Sequence, residues 1–273
     1  MRRFSYITTL FAIAGSLLLM SCSNTTGSFE DQPPHLPPAE SMNMDFSLFE
    51  DENSDTGKEN LSINNESYSH FLNAAVRAAV LKTIVDVNLI IPKSLYIAAE
   101  NADPELNEDG EWTWTYSSQA SGNTFNVRLV ASESNGAISW QMYLTGSAME
   151  LDNILLFDGE VSPDGTEGRW TYYAIFCDHA GSAVSRVDWS VDNEENLSLR
   201  LEVLSDRNGN LGDYIEYIFD APVKTATYYN AGEDQLTEIE WNSETKAGFL
   251  IAPNYNNGEQ ACWDSNFQNV ECG

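Results

Sequence analysis

The chain has 273 residues and carries 42 Asp and Glu against 13 Lys and Arg, a formal charge of -29. That balance excludes nucleic acid as a partner, because a phosphate backbone needs a basic footprint. A hydrophobic share of 42% with 17 Gly is ordinary for a folded chain and excludes disorder throughout.

Residues 1–22 read MRRFSYITTLFAIAGSLLLMSC. Arg2 and Arg3 give a basic start, and Ile7 to Met20 is an apolar run too short to span a bilayer comfortably. Leu19-Met20-Ser21-Cys22 resembles the lipobox of bacterial lipoprotein signal peptides, with Leu third before the cysteine and a small residue just before it. The resemblance implies a cut before Cys22, lipid modification of that cysteine (palmitate among its acyl chains), and the membrane as a partner reached through the anchor. Such chains contribute about 0.8 kcal/mol per buried CH₂. Ser23, next in line, points to the outer rather than the inner membrane by the sorting rule of that family.

From 23 to 66 the composition changes. Ten acids stand against one base, Lys58, and Pro33, Pro34, Pro37 and Pro38 fall in the same stretch. Low hydrophobicity with high charge predicts a disordered tether, reaching about 35 Å as a flexible coil. Residues 67–273 are then one domain.

Within that domain, 69–91 has helical spacing and ends at Pro92. Leu72, Val76, Ala79, Val80, Thr83, Ile84 and Val87 mark one stripe, and Phe71, Leu81, Val85 and Leu89 extend the apolar surface around the circumference. A helix apolar nearly all round is expected in a core. The period then drops to 2. Trp112, Trp114 and Tyr116 alternate with Thr113 and Thr115, and similar runs cover 125–129, 138–144, 153–161, 167–177, 183–192, 196–205, 212–220, 223–230, 235–243, 246–252 and 259–264.

Asn135-Gly136, Asn208-Gly209, Asn257-Gly258 and Pro163-Asp164-Gly165 supply turn chemistry between runs. Short connections force antiparallel neighbours. The expected fold is therefore mainly β, a meander of about eleven or twelve strands curled into an open or closed barrel around or against the amino-terminal core helix. A two-layer sandwich with the helix across one end is the alternative.

With Cys22 assigned to lipid, Cys262 and Cys272 bracket a polar loop and are expected to form a disulfide. Cys177-Asp178-His179 lacks an orienting partner for nucleophilic chemistry. Three scattered histidines argue against a histidine metal site, and the run from Asp206 to Asp213 reads as a hairpin turn, so neither metal nor cofactor is expected. Glu238 and Glu240 share one strand face at roughly 6–7 Å, a separation within the range of glycosidase carboxylate pairs. Glu238-Ile239-Glu240-Trp241 resembles the acidic strand motif of laminarinase-like glycoside hydrolases, but Glu240 stands where that motif has Asp, and Asn242 where it has its second Glu. The Tyr172-Tyr173 and Tyr228-Tyr229 pairs each put one ring on either sheet face, which makes Tyr173 and Tyr229 candidate ligand contacts.

The expected function is a lipid-anchored cell-envelope protein, non-enzymatic, whose β-domain binds a small molecule, a glycan or an envelope protein. In outline it resembles the lipoprotein carriers of the outer membrane, which combine an anchor, a curved antiparallel sheet and a helix. Alternatives are a carbohydrate-active enzyme or binder using Glu238 and Glu240, and a purely structural envelope component. Residues 67–273 keep 32 acids against 10 bases, so the acidity belongs to the folded surface and suits a saline setting.

Overall fold

A computed structural model describes residues 32–50, 66–120, 122–175, 180–193, 196–206 and 209–273. The segment expected to be a signal peptide, with Cys22, and the Cys177-Asp178-His179 run lie outside the described residues. One antiparallel sheet forms the body. Its strands are β1 (Glu105–Leu106), β2 (Trp112–Ala120), β3 (Asn123–Ser134), β4 (Ala137–Gly146), β5 (Leu151–Val161), β6 (Glu167–Tyr173) and β7 (Ala183–Asn193). The second half holds β8 (Asn196–Val203), β9 (Tyr214–Asp220), β10 (Val223–Asn230), β11 (Gln235–Asn242), β12 (Gly248–Ile251), β13 (Ala261–Trp263) and β14 (Asn269–Val270).

Spatial order equals chain order from β1 to β14, a pure meander. The twelve alternating runs of the sequence become β2 to β13, while β1 and β14 are two-residue strands too short to show a period. Asn135 and Gly136 take φ of 52° and 81°, and the two of them alone join β3 to β4. That is the doubly left-handed pair such a hairpin needs. The sheet does not close, since β1 and β14 are its two ends.

Two α-helices lie on one face: α1 (Ser47–Glu50) and α2 (Ser69–Ala98). α2 lies against β2 near one end of the sheet and against β12, β13 and β14 at the other. β2 meets the carboxyl end of α2 at Leu95 and β13 and β14 its amino end at His70 and Phe71, so the helix bridges the two ends of the sheet. Inward residues alternate along every long strand, so Trp114, Trp140, Trp170, Trp189, Tyr217, Trp241 and Trp263 form an aromatic lining.

The structure corrects three expectations. First, α2 does not stop at Pro92 but continues to Ala98. Proline removes one backbone hydrogen bond; burial of Leu95 and Tyr96 just beyond it offsets the loss, and Tyr116 Oη donates to the Leu95 carbonyl at 2.7 Å. Second, α2 is not covered all round. Phe71, Ala74, Ala78, Leu81, Val85 and Leu89 are buried, whereas Val76, Val80 and Val87 of the stripe read from the sequence face solvent. The bulky Phe and Leu side chains fill the sheet's inner space, and the β-branched face is left outside.

Third, part of the expected tether is core. Met42, Met44, Phe46 and Phe49 are buried. Phe46 packs 6.1 Å from both Tyr217 and Trp241, and Phe49 lies 5.7 Å from Phe71. The short 3₁₀ turn Ala39–Met42 lies against β7, β8 and α2. Tyr96 Oη donates to Pro37 O at 3.0 Å, Lys93 Nζ to Asn43, and Lys224 Nζ meets the Asp45 carboxylate at 2.5 Å. Residues 37–50 thus run antiparallel to α2 and fill the space between it and the middle of the sheet. Alternating apolar side chains outweigh the acids here, and Asp45 between them is paired with the buried Lys224.

At the other end, Cys262 and Cys272 form a disulfide with Cα atoms 5.4 Å apart. The loop it closes carries Asn269, whose Oδ1 accepts the His70 N–H at 3.0 Å while its amide donates to Glu66 O and Ser69 Oγ. Phe267 of the same loop lies 4.2 Å from Phe71. The bridged loop therefore caps the start of α2 with a side-chain amide from the distant end of the chain.

Candidate functional site

The strands β8 to β11 bury Leu199, Leu201, Ile215, Tyr217, Ala226, Ile239 and Trp241 against the core. Alternation then sends Arg200, Glu202, Tyr214, Glu216, Thr227, Tyr229, Glu238 and Glu240 to the opposite face, away from α2. Cross-strand register orders them into rows. Arg200 stands opposite Glu216, Glu216 opposite Thr227, and Thr227 opposite Glu238. In the next row Glu202 stands opposite Tyr214, and Tyr214 opposite Tyr229.

At the centre of this patch the Arg200 guanidinium lies 3.6 Å from the Tyr214 ring centroid. The Tyr214 and Tyr229 rings stack at 5.2 Å with an interplanar angle of 26°. Tyr229 Oη donates to Asp234 Oδ1 at 2.8 Å, which pushes the Tyr229 hydroxyl above its ordinary range. Arg200 also reaches Glu216 at 3.9 Å. The result is a cation–π–π stack whose outer ring is fixed by a carboxylate.

Tyr229, Glu238 and Glu240 are thus brought onto one face of adjacent strands. Tyr173 is not part of the patch. It lies on β6, four strand spacings from β10 or roughly 19 Å, and its hydroxyl donates to Asp158 Oδ2 at 3.0 Å. Burial first, then the Asp158 bond, pushes Tyr173 up to about 12. Burial also raises Asp158, against the lowering effect of that bond.

Glu238 lies between Thr227 and Ile251, and Glu240 between Thr225 and Phe249. Burial, and then the charge of Glu238, hold the Glu240 carboxyl above its ordinary value. This pair is set in the face of the sheet rather than in a cleft between layers. Among the described residues no group of three or more His, Cys, Asp or Glu is placed to hold a metal ion.

Arg200, Tyr214 and Asp234 escaped the sequence reading. One signal could have found Tyr214. A two-residue turn between 214–220 and 223–230 fixes the register and puts Tyr214 directly opposite Tyr229. Beside the stack runs a ladder of alternating charge, in which Glu160, Arg169, Asp188 and Arg200 stand opposite one another in turn. Arg169 meets Asp188 at 2.5 Å, and Arg186 lies 3.3 Å from Asp188 and 2.5 Å from Glu202. Three of the domain's few bases are therefore held by acids on this outer face. Comparison with known proteins finds no matching family model, no matching curated protein and no matching solved structure.

Proposed function

We propose that this chain is a lipid-anchored protein of the cell envelope, more specifically of the outer membrane, that binds a ligand non-enzymatically on the outer face of its curved sheet. The stack of Arg200, Tyr214 and Tyr229 carries the reading: a flat aromatic surface beside Glu216, Glu238 and Glu240 matches a polyhydroxylated ligand, whose C–H faces stack on rings while its hydroxyls donate to carboxylates. The inner face argues against an internal cargo, because aromatic side chains and residues 37–50 occupy it. We read the open sheet as curled against α2, which touches it near both of its ends.

With Cys22 as the lipid-bearing residue, only nine residues separate it from Gln32, where the described chain begins. Nine residues span at most about 30 Å, so the domain sits at the membrane surface rather than at the end of a long tether. Two experiments test the proposal. Cys22→Ser should move the protein from the membrane fraction to the soluble one; unchanged membrane association sinks the anchor. Tyr229→Ala and Tyr214→Ala should each weaken binding of oligosaccharides in a titration by tenfold or more while leaving the melting temperature within a few degrees. Unaltered binding in both variants removes the stack from the site.

A second reading, a carbohydrate-active enzyme, draws on Glu238 and Glu240 sharing one strand face. The raised Glu240 carboxyl would be the proton donor and Glu238 the second carboxyl group of the pair. Glycosidase activity abolished by both Glu238→Gln and Glu240→Gln would establish it over the binding role.

A further inference from the structure

Five of the ten large apolar side chains exposed among the described residues lie on one stripe of α2: Val76 at 59%, Val80 at 56%, Val87 at 78%, Ile90 at 49% and Ile97 at 37%. With Thr83 and Ser94, both also exposed, they recur at intervals of four and three residues over three heptads, from 76 to 97. That is the spacing of a coiled-coil seam, with Val80, Val87 and Ser94 at one set of positions and Val76, Thr83, Ile90 and Ile97 at the other. Exposure is greatest at Val87, in the middle, so the helix stands proud there.

The periodicity calls for another helix as the occupant, and the charges say which. α2 carries three bases and one acid, whereas the rest of the chain carries ten bases and 41 acids. Among the described residues it is the only helix with a positive balance in this strongly anionic chain, and so a place where two copies meet with little repulsion. We infer that the exposed face of α2 is a homodimer interface, in which two copies pair their helices antiparallel about a two-fold axis between residues 88 and 89.

The pairing chosen by that axis is self-consistent from Val80 to Ile97, while Val76 falls beyond the end of the partner helix. Val80 meets Ile97 of the partner subunit, Val87 meets Ile90 of the partner subunit, and the two hydroxyl residues, Thr83 and Ser94 of the partner subunit, meet each other. On one flank Asp86 faces Lys93 of the partner subunit; on the other, half-buried Ile84 faces Ile91 of the partner subunit. Within one copy Asp86 pairs with Lys82 and Lys93 with Asn43, and the new contact adds to these. A parallel pairing forfeits this, because it sets Thr83 and Ser94 against themselves and brings no opposite charges together on the flanks. Rim charges of this kind contribute register more than affinity, and the two-fold makes each contact occur twice.

Disulfide trapping in the full chain tests the inference. In a Cys177→Ser background, Thr83→Cys/Ser94→Cys should give a covalent dimer on mild oxidation, read on a non-reducing gel, while Thr83→Cys alone and Ser94→Cys alone stay at the background of the parent. Val87→Glu added to the double variant should cut the dimer at least tenfold, and Val80→Glu should do the same. Both valines are exposed, so circular dichroism should show folded protein in each case. Cross-linking by the single variants as strong as by the double variant would mean a parallel pairing and overturn the arrangement. A double variant at background, or a dimer untouched by Val87→Glu and Val80→Glu, would mean that a lipid surface or a different protein covers this face, and would overturn the dimer altogether.

Discussion

Phe46 is 2% exposed and is walled by the rings of Tyr217 and Trp241, each 6.1 Å away. Phe46→Ala removes a ring from a site whose other walls are themselves rings fixed on strands, so the space cannot close by small movements. Buried Phe→Ala changes of this kind cost about 3–5 kcal/mol. In a domain of this size each kcal/mol lowers Tm by about 2–4 °C, which puts the expected fall at roughly 6–20 °C. Thermal unfolding followed by tryptophan fluorescence reads it directly, since Trp241 borders the deleted ring. Glu50→Ala is the control. Its carboxylate meets Lys82 at 3.1 Å with both side chains substantially exposed, a surface pair worth less than about 1 kcal/mol. A Phe46→Ala shift no larger than the Glu50→Ala shift would mean that residues 37–50 do not belong to the core.

Asp45→Asn should lower Tm at neutral pH, because Lys224 is buried at its inner side and loses its counter-charge. Burial raises the Asp45 carboxyl, but bonds from Lys224 and from the Ser47 N–H outweigh it and leave the value below normal. A depressed carboxylate contributes stability above its unfolded value and loses it as pH falls through the folded one, so the gap between parent and variant should begin to shrink below about pH 4; a gap undiminished at pH 2 contradicts this. Glu240 has the opposite sign: its raised carboxyl disfavours the charged form, so Glu240→Gln should raise Tm at pH 7 and leave it unchanged in acid where both are neutral, and a lowered Tm at pH 7 would refute the assignment. Gly248→Ala should cost about 1–3 kcal/mol, because a Cβ there would lie 2.1 Å from Glu240 O and 2.5 Å from the Trp263 ring; an unchanged Tm would show that these neighbours yield freely. With 32 acids and 10 bases in residues 67–273, Tm should climb as NaCl goes from low to molar concentration, and a flat response would deny a role to self-repulsion.

What could be read from the sequence was what repeats. Period-two alternation marks β2 to β13 because each of those strands buries one face, and the short turns between them dictate a meander. The orientation of α2 could not be read the same way. Both its faces carry apolar residues at heptad spacing, and only the sheet decides that Phe71, Leu81 and Leu89 go in while Val76, Val80 and Val87 stay out. Residues 37–50 were hidden by composition: acids and prolines dominate a window average, yet Met42, Met44 and Phe46 alternate as an extended inward-facing run. Of the patch on β8 to β11, Tyr229, Glu238 and Glu240 were legible from alternation, whereas Arg200 and Tyr214 needed cross-strand register, which depends on residues far apart in the chain.

Assembly order follows from where the partners lie. Each strand of the meander pairs with the one made just before it, so hairpins can zip up as the chain emerges. The amino-terminal elements cannot. Lys224 comes 179 residues after Asp45, and Asn269 comes 199 residues after His70. During synthesis Phe49 can meet Phe71 of α2 early, but Phe46 waits for Tyr217 and Trp241. Such exposed apolar stretches are where nascent chains aggregate. A chain made amino end first therefore presents this apolar segment early and completes its burial late.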